Sequence, residues 1–67
     1  MEIRLDDSHH IPDLLRFLRA GGCIAYLTGG AQVIEALLPT VNGDKEDDEI
    51  RRLLHLWLAA NPTARLL

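Results

Sequence analysis

Polar and apolar residues alternate at the start of the chain. Ile3 and Leu5 point one way and Glu2 and Arg4 the other, and this period of two predicts a short strand. The spacing then changes. Ile11, Leu14, Leu15 and Leu18 recur at helical intervals, with Arg16 and Arg19 on the outer side, so a first helix is expected over residues 12–20. Asp6, Asp7 and Ser8 supply cap-type side chains ahead of it, with Ser8 read as a cap, and Pro12 suits its first turn. Gly21-Gly22 ends it, because glycine takes the left-handed cap conformation freely. Residues 23–28 are an apolar run of strand formers closed by Gly29-Gly30, a two-residue hairpin signal.

Residues 31–38 read two ways. Ala, Gln, Glu and Leu favour helix, and Val33, Ile34, Leu37 and Leu38 could line one helical face. The Gly-Gly pair and the weakness of a two-stranded sheet favour a strand, which is the expectation adopted. A loop over 39–43 leads to a second helix starting near Asp44. Asp44 can cap it, with Asp47 three residues on as in a capping box. Acidic residues crowd its first turns, where the helix dipole favours negative charge. Ile50, Leu53, Leu54, Trp57 and Leu58 form its apolar stripe. Asn61 can cap its end, and Pro62 cannot continue it. Residues 63–67 are expected to be extended or frayed, with a fourth strand as the alternative.

The resulting order, strand-helix-strand-strand-helix with an optional last strand, predicts one α+β domain spanning 1–67. It resembles the ferredoxin-like βαββαβ fold, with both helices on one face of an antiparallel sheet. Small heavy-metal-associated domains and amino-acid-sensing regulatory domains share that order. A second resemblance is to short, uncharacterised bacterial proteins, carried here by Gly22-Cys23, Leu38-Pro39, Trp57 and Asn61-Pro62. That resemblance implies no activity.

Composition narrows the function classes. A chain of 67 residues buries only about 60% of the surface its unfolded chain would expose, so stability is marginal and oligomerisation attractive. Cys23 is the single cysteine, so no disulfide forms within the chain. Seven basic residues are outnumbered by ten acidic ones, for a net charge of −3. With only Phe17, Tyr26 and Trp57 as aromatics, this argues against nucleic-acid binding. No apolar run has the length of a signal peptide or a membrane span, and a cytoplasmic location with no membrane partner is expected.

Each chemical candidate meets a simpler explanation. His9 and His10, with Cys23 or His55, could ligate zinc or copper. Metal-site spacing is absent, however, and heavy-metal domains place paired cysteines in the loop after the first strand. The two histidines read as solvated, and no cofactor is expected. Ser8 beside His9 and Asp6 or Asp7 lacks the spatial assembly of a hydrolase triad and any nucleophile elbow. Cys23 follows a helix C-terminus, where nothing lowers a thiol's pKa, and reads as a small buried hydrophobe. In the acidic run 44–49 the sixth position is Glu49, not the glycine of a calcium loop, and helix capping explains the run. Gly21-Gly22 and Gly29-Gly30 lack the phosphate-loop spacing and read as turns. His55 is expected to be exposed and Trp57 to be core. The expectation is therefore a protein that is not an enzyme.

The sheet face away from the helices has no such simple explanation. If Ile3, Leu5, Cys23, Ala25 and Leu27 face the helices together with Ile34, Ala36 and Leu38, the opposite face carries Arg4, Ile24, Tyr26, Val33, Glu35 and Leu37. A solvated sheet face is normally polar, so Ile24, Tyr26, Val33 and Leu37 form a candidate interface. The sequence reading is an interaction or regulatory module that dimerises through this face or meets a protein partner there. The alternative is a small transition-metal-binding protein using His9, His10 and Cys23.

Overall fold

The computed structural model describes residues 1–29, 33–41 and 43–67. The chain forms β1 (Glu2–Arg4), a 3-10 turn (Ser8–His10), α1 (Ile11–Ala20), β2 (Ile24–Leu27), β3 (Val33–Leu37) and α2 (Gly43–Ala60). It is an α+β arrangement. The strands make an antiparallel sheet in the order β1-β3-β2, so the third strand in sequence is the middle one. Ile3 lies opposite Ile34, Ala25 opposite Ala36, and Tyr26 opposite Glu35.

The ambiguous segment is thus a strand at residues 33–37; Ala31 and Gln32 lie outside the described residues. Its helix-forming composition is overridden by position. β3 pairs on both sides, and its Ile34 and Ala36 are fully buried. As a helix it would leave two short strands with no partner between them. The ladder closes with the Thr28 N–H donating to the Val33 carbonyl at 3.0 Å; Gly29 has φ +61°, and Gly30, the second residue of the expected hairpin pair, lies outside the described residues.

The inner face is continuous with the helices. Ile3, Ala25, Ile34 and Ala36 join Ile11, Leu14 and Leu18 of α1 and Ile50, Leu54 and Trp57 of α2 in one core. Both helices therefore pack on the same side of the sheet, α1 against β2 and β3 and α2 against β3. The opposed alanines, Ala25 and Ala36, keep that face low where α1 approaches.

Helix ends correct two expectations. Asp7, not Ser8, is the cap, and it caps the 3-10 turn that leads into α1; α1 itself starts after His10, which makes no side-chain capping bond. The Asp7 backbone is extended and its carboxylate accepts from the His9 N–H at 2.9 Å, while Ser8 has already entered the 3-10 turn. Asp44 lies inside the first turn of α2, because the helix starts at Gly43; the preceding position lies outside the described residues. Asn61 caps α2 as expected: its Nδ2 donates to the Trp57 carbonyl at 2.8 Å. The C-terminus of α1 follows the expected pattern. Gly22 sits at φ +95°, the Cys23 N–H reaches Leu18 O and the Gly22 N–H reaches Arg19 O, the pair of bonds of a Schellman motif.

Residues 65–67 run along the outer edge of β1. Leu66 bridges Leu5, the Asp6 N–H donates to Arg65 O, and the Leu67 N–H donates to Arg4 O, both at 3.0 Å. A single bridge stands where a fourth strand was the alternative. Among the described residues no helix is long and apolar enough to cross a membrane.

Candidate interaction surface

Strand alternation and the cross-strand register fix what the outer face of the sheet carries. Glu2 and Arg4 stand on β1, Val33, Glu35 and Leu37 on β3, and Ile24 and Tyr26 on β2. The four expected interface residues share this face. Ile24 is 52% exposed and Tyr26 46%, with Val33 and Leu37 half-buried in the central strand beside them. Leu37 lies directly opposite Ile24, and Tyr26 flanks Glu35.

The charges on this face satisfy one another. Glu2 and Glu35 are directly opposite, an unfavourable like-charge pair. Each has its own cation: Arg4 Nε donates to Glu2 Oε1 at 3.0 Å, and the Met1 ammonium donates to Glu35 Oε1 at 3.2 Å and to Ala36 O at 2.7 Å. The β1 side of the face is charged and internally paired, and the β2 side is apolar.

One inner-face residue departs from the expected pattern. Leu27 is opposite Ile34 and so points to the helix side, yet it is 48% exposed. It stands at the outer edge of the sheet, beyond the cover of the helices.

The histidines, cysteine and acidic run separate. His9 is almost fully exposed, and its Nδ1 lies 3.0 Å from Asp7 Oδ1. The Asp7 carboxyl is held below its ordinary pKa, first by the His9 backbone N–H and then by the His9 ring. His10 is not solvated as expected. It packs edge-on against Trp57 at 5.8 Å, with Nε2 3.3 Å from Thr63 Oγ1. Cys23 is buried at the other end of α1, a ten-residue helix about 15 Å long, so the metal candidates do not converge. Burial, and then the charge of Glu46, push the Cys23 thiol up, away from reactivity. No group of three or more His, Cys, Asp or Glu among the described residues is placed to hold a metal ion. In the acidic run, Glu46 accepts from the Leu38 N–H at 2.8 Å and ties β3's exit to α2, while Glu49 pairs with Arg52.

Two interactions were not foreseen. Trp57, a core residue as expected, donates from Nε1 to Asp13 Oδ2 at 2.9 Å and cross-links the helices. Arg19 does not simply lie on the outer stripe of α1. Its Nε and Nη2 both donate to the Ala25 carbonyl, at 3.0 and 2.7 Å. An arginine in the last turn before Gly-Gly and a strand was the only trace of this contact in the sequence. Comparison with family models, curated proteins and solved structures finds no match for the chain.

Proposed function

We infer that the chain is a non-enzymatic interaction module whose outer sheet face packs against the same face of a second copy. The observation that carries this reading is the exposed apolar side chains of β2, Ile24 and Tyr26, next to Leu37 and Val33. A sheet face left to water is normally polar, and contiguous apolar surface marks interaction sites. Charge favours a like copy over a charged partner. Both acidic residues of the face have a cation of its own, so little field is left to select an oppositely charged surface. The arrangement is read as ferredoxin-like, with its last strand shortened to the Leu5–Leu66 bridge; that topology alone carries no function.

Size sets the expected strength. An aromatic side chain presents roughly 150–250 Å², so half-exposed Tyr26 and Ile24 with their neighbours offer on the order of 300 Å² per copy. A standard interface takes about 800 Å² from each partner. The association should therefore be weak and concentration-dependent.

Light scattering behind size exclusion, across a concentration series, tests the reading. Dimers that become monomers in Tyr26→Glu, with unchanged circular dichroism, support it. A monomer throughout the series, or a dimer indifferent to Tyr26→Glu and to Leu37→Glu, refutes it.

A further inference from the structure

The two edges of the sheet are treated differently. At the β1 edge, residues 65–67 cover the end of the strand: the Leu67 N–H takes the Arg4 carbonyl, and just past β1 Leu66 bridges Leu5 and the Asp6 N–H reaches Arg65 O. On β2, the register decides which groups face out. Thr28 bonds to Val33, so Tyr26 and Ile24 also bond inward to β3, and Ala25 and Leu27 turn their N–H and C=O groups to the free edge. Among the described residues, Arg19 is the one group that meets this edge, and it takes the Ala25 carbonyl with two donors. The strand itself, Ile-Ala-Tyr-Leu, carries none of the lysines, prolines or inward charges that normally blunt an edge.

We propose that the free edge of β2 is a strand-pairing surface for the β2 edge of a second copy, held closed by Arg19. An antiparallel edge matches itself under a two-fold axis. Centred on Tyr26, that axis sets Ala25 against the second copy's Leu27, and the free groups of one strand meet those of the other. Tyr26 then stands beside its own counterpart, a favourable cross-strand aromatic pair. The half-exposed Leu27, which faces the helix side, gains a neighbour across the seam. This register needs the Ala25 carbonyl, which Arg19 occupies. Edge pairing and the Arg19 contact exclude each other, and the forked guanidinium is the gate. The proposal is independent of the face reading: it concerns backbone groups that point sideways, not side chains that point outward.

The test separates the two surfaces by substitution. Arg19→Ala opens the edge. Leu27→Pro closes it, because that N–H faces out of the ladder and proline is tolerated at such an edge position. Leu37→Glu disturbs only the face. Sedimentation velocity and amide-I infrared spectra over a concentration series give the readout. Arg19→Ala should associate at about tenfold lower concentration than the wild type, the scale of one hydrogen-bonding group set free, with added intermolecular β signal. Adding Leu27→Pro should abolish that gain, and adding Leu37→Glu should leave it. An Arg19→Ala protein that folds and associates like the wild type overturns the proposal. So does association that Leu27→Pro does not reverse, since that would reflect unfolding. Where Arg19→Ala does not fold, Arg19→Lys, which keeps the charge and loses the fork, carries the same comparison; loss of fold in both makes Arg19 a structural anchor and overturns the gate.

Discussion

Gly21 and Gly22 are adjacent at the end of α1, yet they should respond to alanine in opposite ways. Gly22 has φ +95°, and a Cβ there would meet only Leu38 Cδ1 at 3.8 Å, an ordinary contact. Its requirement is conformational, not spatial. Left-handed backbone costs an L-residue roughly 1–2 kcal/mol, and alanine returns about 0.4–1 kcal/mol by restricting the unfolded chain. Gly22→Ala should therefore lose about 1 kcal/mol. Gly21 has φ −82°, which any residue adopts, but its Cβ would sit 3.1 and 3.3 Å from the two Leu53 methyls and 3.4 Å from Leu18 O. Leu53 is half-buried, and its methyls can give by a few tenths of an ångström. The same unfolded-state gain then offsets the repacking, and Gly21→Ala should stay within about 0.5 kcal/mol of the wild type. Trp57, the single tryptophan and almost wholly buried, reports unfolding by fluorescence in a urea titration. A slope near 1 kcal/mol/M for so small a domain turns the Gly22→Ala loss into a midpoint shift of about 1 M. In heat the same loss should lower Tm by about 4–8 °C. Gly22→Asn should fall between the two, because asparagine enters the left-handed region more readily. A Gly22→Ala midpoint equal to the wild type, or a Gly21→Ala protein weaker than Gly22→Ala, refutes the reasoning.

Two further expectations follow from the polar contacts. Trp57→Phe loses the bond to Asp13 Oδ2 and part of the core volume, and should cost about 2–3 kcal/mol in the same titration. Asp13→Asn keeps an acceptor facing the indole and should cost less than about 1 kcal/mol; a loss as large as that of Trp57→Phe would refute this ordering. Asp7 has a folded pKa below its ordinary value of 3.8, so its contribution is present above that pH and is lost as pH falls through the folded value. Asp7→Asn should therefore flatten the decline of stability on acidification below about pH 4, and an unchanged acid limb would contradict the cap assignment.

Much of the layout was readable because local and tertiary preferences agree. The stripe Ile11, Leu14, Leu18 and the glycines after it define α1, and Ile50, Leu54 and Trp57 define α2, each buried as their spacing requires. The same holds for the candidate surface. Once residues 33–37 are a strand, alternation alone puts Val33 and Leu37 outward with Ile24 and Tyr26. That condition was the one local composition opposed, and only the place of β3 between two strands decides it. The misreadings share a cause: contacts made across the chain. His10 looked solvated because its partners, Trp57 and Thr63, lie at the far end of the sequence. Leu27 looked buried because alternation says which face a residue takes and not how far the helices reach over it. Arg19 looked like an outer-stripe cation because helical spacing does not show that the Gly-Gly turn folds β2 back alongside the helix end.

Those last two residues tie the edge and the face of the sheet together. β2 supplies both the exposed side chains Ile24 and Tyr26 and the edge-facing backbone groups of Ala25 and Leu27, of which Arg19 holds the Ala25 carbonyl. Two copies that stack face to face leave their β2 edges open, so a third copy could still add at the edge and the assembly would not close. An edge that pairs without limit is the usual route from a small sheet to aggregation. Under this reading Arg19 does more than satisfy one carbonyl. By holding Ala25 O it removes one of the groups any register centred on Tyr26 must use, which leaves stacking of the apolar face as the closed, two-copy mode. If both proposals hold, the weak face and the guarded edge belong together, because a short strand that offers apolar side chains to a partner gains from a backbone kept from recruiting more.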